Sequence, residues 1–317
     1  MLRSIFGKRF RPVWIALTSV VVVLIALSFQ PVRAWAGQFL GLFRVQEVTV
    51  LPVDPTTFTQ LTTSSALTKQ IQQVLSSSVT VTKKPAKPQV VTSAAQASQL
   101  VGFKVRLPDR PDTPRITVQD SLGFQMLIDR ARAQSIIDGA GRPDLQLPAS
   151  VDGAKLSVNV PAGVNLAYGE CPPLEEELIT TAATPAHNPR TSGSNGRLYV
   201  TCVLIAQYPS PVVDTPPNLN IQQLAELGLQ FTGMSPAQAH EYAQTVDWTS
   251  TLVIPIPRNA ALHKQVNVDG VTGYLIQRPL DDGPEYSLVW VKNGIVYAIG
   301  GLGDGITSAV NMANSLK

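Results

Sequence analysis

Residues 13–29, VWIALTSVVVVLIALSF, run for 17 residues without a charged side chain. A backbone in hydrocarbon must satisfy its own N–H and C=O groups, so in a bilayer this stretch has to be an α-helix. Its length is at the short end of what a crossing needs. Arg3, Lys8, Arg9 and Arg11 precede it, with no acidic residue among the first 13 positions. That bias holds residues 1–12 in the cytoplasm and sends everything after Phe29 across the membrane. The segment also fits a secretory signal peptide, with Ala34-Trp35-Ala36 as a small-x-small cleavage site before Gly37. Both readings put the body outside and differ in the tether. The apolar run exceeds the usual h-region of about 7 to 15 residues. Phe39, Leu40, Leu42 and Phe43 extend it in the manner of a helix lying at the interface. These features favour a single-pass cell-membrane anchor; a protein secreted after cleavage at Ala36 is the alternative.

Charge then narrows the partners. The chain carries a formal +3, but without the four N-terminal cations 21 basic residues face 22 acidic ones. The body is nearly neutral, and nucleic acid, which needs a basic face, is not an expected partner. The expected partners are the membrane and an envelope or membrane protein.

Cys171 and Cys202 are the two cysteines of the chain, both in the exported part. An even count in an oxidising compartment reads as a disulfide, and closing a loop of about 30 residues contributes on the order of 3 kcal/mol. Two unrelated buried thiols are the alternative. The intervening TTAATPAHNPRTSGSNG, residues 180–196, reads as a loop.

The expected organisation is a tail over 1–12, the apolar segment over 13–29, and a juxtamembrane strand and helix over 30–80. A Lys/Pro linker over 81–92 and an extracytoplasmic α+β domain over 93–317 follow, with a sub-boundary near 210. VQEVTVLPV, residues 45–53, alternates as a strand, and Leu61, Leu67, Ile71 and Leu75 have helical spacing over 56–77. Lys83, Lys84 and Lys87 among Pro85 and Pro88 mark an extended, solvated spacer. A short helix over 93–100 leads to RITVQD as a strand. Phe124, Leu127, Ile128, Ala131 and Ile136 then suggest an amphipathic helix closed by Gly139. KLSVNVP after Asp152-Gly153, and RLYVTCVLIAQY over 197–208, read as strands.

The last hundred residues are the most legible. Ser235-Pro236-Ala237-Gln238 is a capping box with proline at the first helical position, predicting a helix over 236–245. TLVIPIP, KQVNVDG, VTGYLIQRP, YSLVWVKNG and IVYAIGG follow, with Asp269-Gly270 and Asn293-Gly294 as tight-hairpin signals. These predict a meander of about five antiparallel strands, onto which a final helix packs Ile306, Val310, Ala313 and Leu316.

DWTSTLVIPIP, the VDGVTGYLI hairpin, SLVWVKNGIVYAIGG and the terminal ANSL resemble a bacterial family of membrane-anchored extracytoplasmic domains of unknown function. That family includes the outer domains of anti-sigma-factor-like proteins and is similar to some sporulation lipoproteins. PVRAWAGQFLGLFRVQ resembles its membrane-exit segment, so the resemblance covers residues 31–55 and 211–317. Anti-sigma factors of this type have a cytoplasmic domain before the membrane segment, where about 12 residues stand in this chain. The resemblance therefore implies an anchored, ligand- or partner-sensing domain without a known catalytic residue, rather than a direct grip on a sigma factor.

Residue chemistry adds little. His187, His240 and His263 are far apart, and His240-Glu241 lacks the second histidine of a zinc-protease helix. No G-x-S-x-G elbow places a nucleophile. Gly300-Gly301-Leu302-Gly303-Asp304-Gly305 joins strand to helix but matches no phosphate-loop pattern, and Asp304 is placed to cap the last helix. Trp248 and Trp290 read as core, and Glu175-Glu176-Glu177 as a solvated run. No catalytic residue, metal ligand or cofactor is expected. Two readings stand: a noncatalytic binding or sensory domain, with anti-sigma-factor-like regulation as its finer form, and an envelope hydrolase whose site is assembled from distant residues.

Overall fold

The computed structural model describes residues 45–54, 64–171, 202–258, 261–278, 285–302 and 306–317. The apolar segment, the Ala34-Ala36-Gly37 site, Glu175–Glu177 and His187 lie outside the described residues. The alternating stretch after the exit segment forms β1 (Glu47–Val53). Helix α1 (Ser65–Ser78) begins where the Ser64 hydroxyl accepts from the amide of Leu67. It buries Leu67 and Leu75, two of the residues that marked it in the sequence.

Downstream of α1, strand-forming sequence is interrupted at regular intervals, and each interruption carries the chain from one sheet into another. β2 (Val79–Lys83) passes through Lys84–Pro88 into β3 (Gln89–Val91). After helix α2 (Ala94–Val101), β4 (Arg115–Gln119) passes through Asp120-Ser121 into β5 (Leu122–Leu127). After helix α3 (Arg130–Gly139), β6 (Lys155–Val160) passes through Pro161-Ala162 into β7 (Gly163–Tyr168), and β8 (Val203–Pro209) passes through Ser210-Pro211 into β9 (Val212–Asp214). One half of each run joins an antiparallel sheet ordered β2-β5-β6-β9, while the other halves lie side by side as β3-β4-β7-β8 in a larger sheet. Proline donates nothing to a ladder, so Pro161 and Pro211 end pairing on one side and let the strand turn into the next sheet.

Two expectations change here. Residues 81–92 do extend, but β2 and β3 are ladder strands pairing with β5 and β4, and the Lys/Pro residues form the crossover between sheets. Residues 122–127 are strand rather than the start of a helix. Phe124 fits both periods, but Leu122, Phe124 and Met126 alternate along an interior strand paired on both sides, by β2 and β6. The helix begins only at Arg130, behind Asp129, whose carboxylate accepts from the amide of Arg132 at 3.0 Å.

At the bend into β7, Gly163 lies under the ring of Tyr208, whose hydroxyl is 2.7 Å from the Asn165 amide nitrogen. Burial pushes that hydroxyl up to about 12, so it stays protonated. A Cβ at position 163 meets the ring itself. Gly163→Ala is expected to cost about 1–3 kcal/mol in a denaturant titration, and an unchanged midpoint would show that the ring swings clear.

The C-terminal region follows the hairpin signals. Helices α4 (Ile221–Phe231) and α5 (Pro236–Thr245) precede β10 (Thr251–Pro257), and both arms of the Ser235/Gln238 capping box are present. β11 (Leu262–Val268), β12 (Val271–Arg278), β13 (Glu285–Lys292) and β14 (Ile295–Leu302) form a meander that continues the larger sheet. The order is β11-β12-β13-β14-β8-β7-β4-β3, antiparallel throughout. The expected fifth meander strand, TLVIPIP, is not part of it. As β10 it pairs in parallel with β1, from Glu47↔Thr251 to Val53↔Pro257. The architecture is mixed α+β, with six α-helices among the described residues.

Three apolar clusters hold these layers. Helix α2 and the last helix, α6 (Ile306–Asn314), cover one face of the large sheet through Ala97, Ala309, Met312 and Ala313, with Leu316 just beyond α6, over Leu166, Ile205, Leu288 and Trp290. α4 and α5 cover one face of the β1/β10 pair through Leu229 and Ala239, joined by Trp248 from the turn after α5, against Leu51, Val53 and Val253. The opposite face of that pair, through Val48, Leu252 and Ile254, meets the smaller sheet at Phe124 and Val158 and the outer face of the meander at Tyr274 and Val291. A lone parallel pair has two faces to bury, and this packing covers both.

Candidate functional site

The Asp269-Gly270 turn has φ of 52° and 77°, the left-handed values a two-residue hairpin requires. The buried Asp269 side chain meets positive charge from two segments. Arg106, on the loop after α2, grips it with both terminal nitrogens, Nη2 to Oδ1 at 2.9 Å. Lys292 at the end of β13 reaches Oδ1 at 2.7 Å and the Asp269 carbonyl at 2.6 Å. The Asp269 amide donates to Asn314 Oδ1 on α6 at 2.7 Å, and Arg106 Nη2 donates to the Leu316 carbonyl at 2.6 Å. Gln207, fully buried on β8, exchanges two bonds with the Arg106 backbone. Burial alone would raise the Asp269 carboxyl, but hydrogen bonds from Arg106 and Lys292 outweigh it and hold the group below the usual carboxylate range. The Arg106 guanidinium is pushed up in turn by its bond to Asp269. It also lies 5.6 Å from the centroid of Tyr297, which stacks on Trp290. Each carboxylate oxygen is engaged, so the cluster works as a clasp joining a hairpin, a loop and the last helix.

A cleft of about 240 Å³ lies at the other end of the meander. Ile254, Pro255 and Ile256 of β10 form one wall, Ile276 of β12 and Ser287 of β13 the other, and the Arg278–Glu285 ion pair forms the rim. β1 and β10 run in parallel from the Val45 end of the body to this cleft. An apolar floor beside a few polar groups is the chemistry of a binding site for an apolar side chain or a small amphipathic group.

The residues considered for catalysis are dispersed. His240 is exposed on α5, where Nδ1 is 3.0 Å from Glu226 Oε1 and Nε2 faces the Gln244 amide at 2.6 Å. His263 is exposed on β11. Gly300 and Gly301 are ladder residues of β14, paired with Ser287 and Tyr286, and a Cβ on Gly301 would strike the Tyr286 hydroxyl. Residues 303–305, including Asp304, lie outside the described residues. Trp248 and Trp290 are buried, and Trp248 donates to the Ala243 carbonyl at 2.6 Å. Among the described residues no group of three or more His, Cys, Asp and Glu side chains is arranged to hold a metal, and no helix is long and apolar enough to cross a membrane.

Cys171 and Cys202 are bonded, with Sγ atoms 2.08 Å apart; Cys202 adjoins Val203, and Cys171 follows Tyr168 after Gly169-Glu170, beyond the Tyr168↔Val203 pair that ends the β7–β8 ladder. The sequence identified Asp269 as a turn residue. Arg106 and Lys292 gave no signal, since their partner is remote in sequence. Comparison with known protein families, characterised proteins and solved structures finds no match.

Proposed function

We propose that this chain is a single-pass, membrane-tethered extracytoplasmic domain that binds or senses an envelope or membrane protein without catalysis, with anti-sigma-factor-like regulation as the finer reading. The observation that carries it is the apolar cleft between β10 and the meander. It sits at the far end of the β1/β10 pair from Val45, the first described residue after the exit segment, and so would face away from an anchor. The basic flank before residues 13–29 and the bonded cysteine pair support an exported setting.

The test places a photoreactive p-benzoylphenylalanine at Ser287 in the cleft, and in a second variant at exposed Lys155 on β6, in the full chain in native membranes. A discrete protein adduct is expected from position 287 and none from 155. Identical adducts from both positions would overturn the reading. So would hydrolysis of envelope polymers by the purified protein that His240→Ala or His263→Ala abolishes, because that result would establish the hydrolase alternative.

A further inference from the structure

An exposed sheet edge templates foreign strands, and proteins blunt such edges with proline, bulges, short strands or charge. Most edges of this molecule are blunted. In β10, Ser250 carbonyl and Arg258 amide bonds to β1 fix the even-numbered residues on the paired side, so Pro255 and Pro257 remove donors from the outer side. On β1, Pro52 removes an outward donor and the Asp54 amide is taken by the Thr232 carbonyl at 3.0 Å. β3 and β9 have three residues each, and β2 carries a register shift between Val81 and Lys83.

β11 differs. It has seven residues, no proline and an unbroken register with β12 from Leu262↔Gln277 to Val268↔Val271. Residues flanking a two-residue turn form a hydrogen-bonded pair, so Val268, Val266 and Lys264 address β12. His263, Gln265 and Asn267 therefore turn their N–H and C=O groups outward. His263, Gln265 and Asn267 are exposed, as is Leu262 at 73%.

We infer that β11 is a docking edge for an extended peptide segment of a partner protein, one that presents a carboxylate flanked at alternate positions by apolar residues. This rests on the binding reading above and names the partner class. Leu262, Lys264, Val266 and Val268 share one face of the edge, so an added strand sets apolar side chains beside Leu262 and Val266 and an acid beside Lys264. A second copy of the chain fits poorly. In the two-fold antiparallel registers Lys264 faces Leu262, Val266 or Val268 of the second copy, or that copy's own Lys264, and in none of them a carboxylate. Like charges directly opposite one another destabilise a sheet.

The probe is the peptide Thr-Val-Thr-Glu-Thr-Val-Thr, capped at both ends, titrated into the full chain in detergent by fluorescence anisotropy; a sister peptide carries Lys in place of Glu. The Glu peptide should bind about fivefold more tightly, and Lys264→Glu should reverse that order. Gln265→Pro removes an outward donor while sparing the β12 ladder. It should weaken the Glu peptide by at least about tenfold with an unchanged melting temperature. Equal binding of both peptides, or full binding by Gln265→Pro, would overturn the inference. So would a concentration-dependent dimer that Gln265→Pro abolishes, which would give the edge to a second copy. If neither peptide binds while the adduct from position 287 forms, the edge assignment fails and the binding reading stands; if neither forms, both fail.

Discussion

Asp269→Ala is expected to lower unfolding stability by about 3–5 kcal/mol, the cost of removing one partner from a buried ion pair and leaving the other uncompensated. Arg106 and Lys292 lose the carboxylate, Trp290 loses a contact at 3.4 Å, and alanine must adopt the left-handed φ of 52°. Asp269→Asn separates the two roles. Asparagine suits the turn and can still accept from Arg106, so it should recover the turn contribution and lose the charge. The pH dependence has a fixed sign. The folded carboxyl lies below its ordinary value, so its contribution is complete above the unfolded value of about 3.9. It is lost as pH falls through the depressed folded value. The stability gap between wild type and Asp269→Asn should therefore be constant near neutrality and shrink in strong acid. A gap that stays constant into strong acid would place the stabilisation elsewhere.

Breaking the Cys171–Cys202 bond, by reduction or by the double Cys→Ser variant, should lower stability on the order of 3 kcal/mol. The bond closes a sequence separation of 31 at the end of the β7–β8 ladder. Its loss frees Cys171 and Cys202 next to the Tyr168 and Val203 end of the ladder, so the effect should be largest at that end of the sheet. Hydrogen exchange would show faster opening of the Tyr168 and Val203 amides than of Val164 and Gln207. Uniform acceleration along both strands would instead mean that the bond acts on the unfolded chain alone.

What the sequence made legible is what local chemistry decides. Asp269-Gly270 and Asn293-Gly294 close hairpins because few dipeptides take those φ values, and both were readable as such. Ser235 and Gln238 cap their helix because both bonds are made within one turn. The parallel pairing of TLVIPIP with β1 was hidden because its partner lies some 200 residues earlier, and a β-branched run carries no record of its neighbour. The strand at 122–127 was hidden by a coincidence of periods: Phe124, Leu127 and Ile128 match a helix face, and pairing on both edges selects the strand. The Lys/Pro residues announced an extended segment and said nothing about the sheets on either side of it. Of the clasp, one residue in three was visible, as a turn former, because Arg106 is joined to Asp269 only by the fold.

The proposed function requires an exported body held to a membrane. The most direct measurement is the intact mass of the full chain recovered from the membrane fraction of its native cells, with free thiols trapped at lysis. An unprocessed N-terminus together with a mass showing Cys171 and Cys202 oxidised is the predicted result. A soluble cytoplasmic protein with both thiols trapped would contradict it, and a new N-terminus at Gly37 would keep the export and remove the tether.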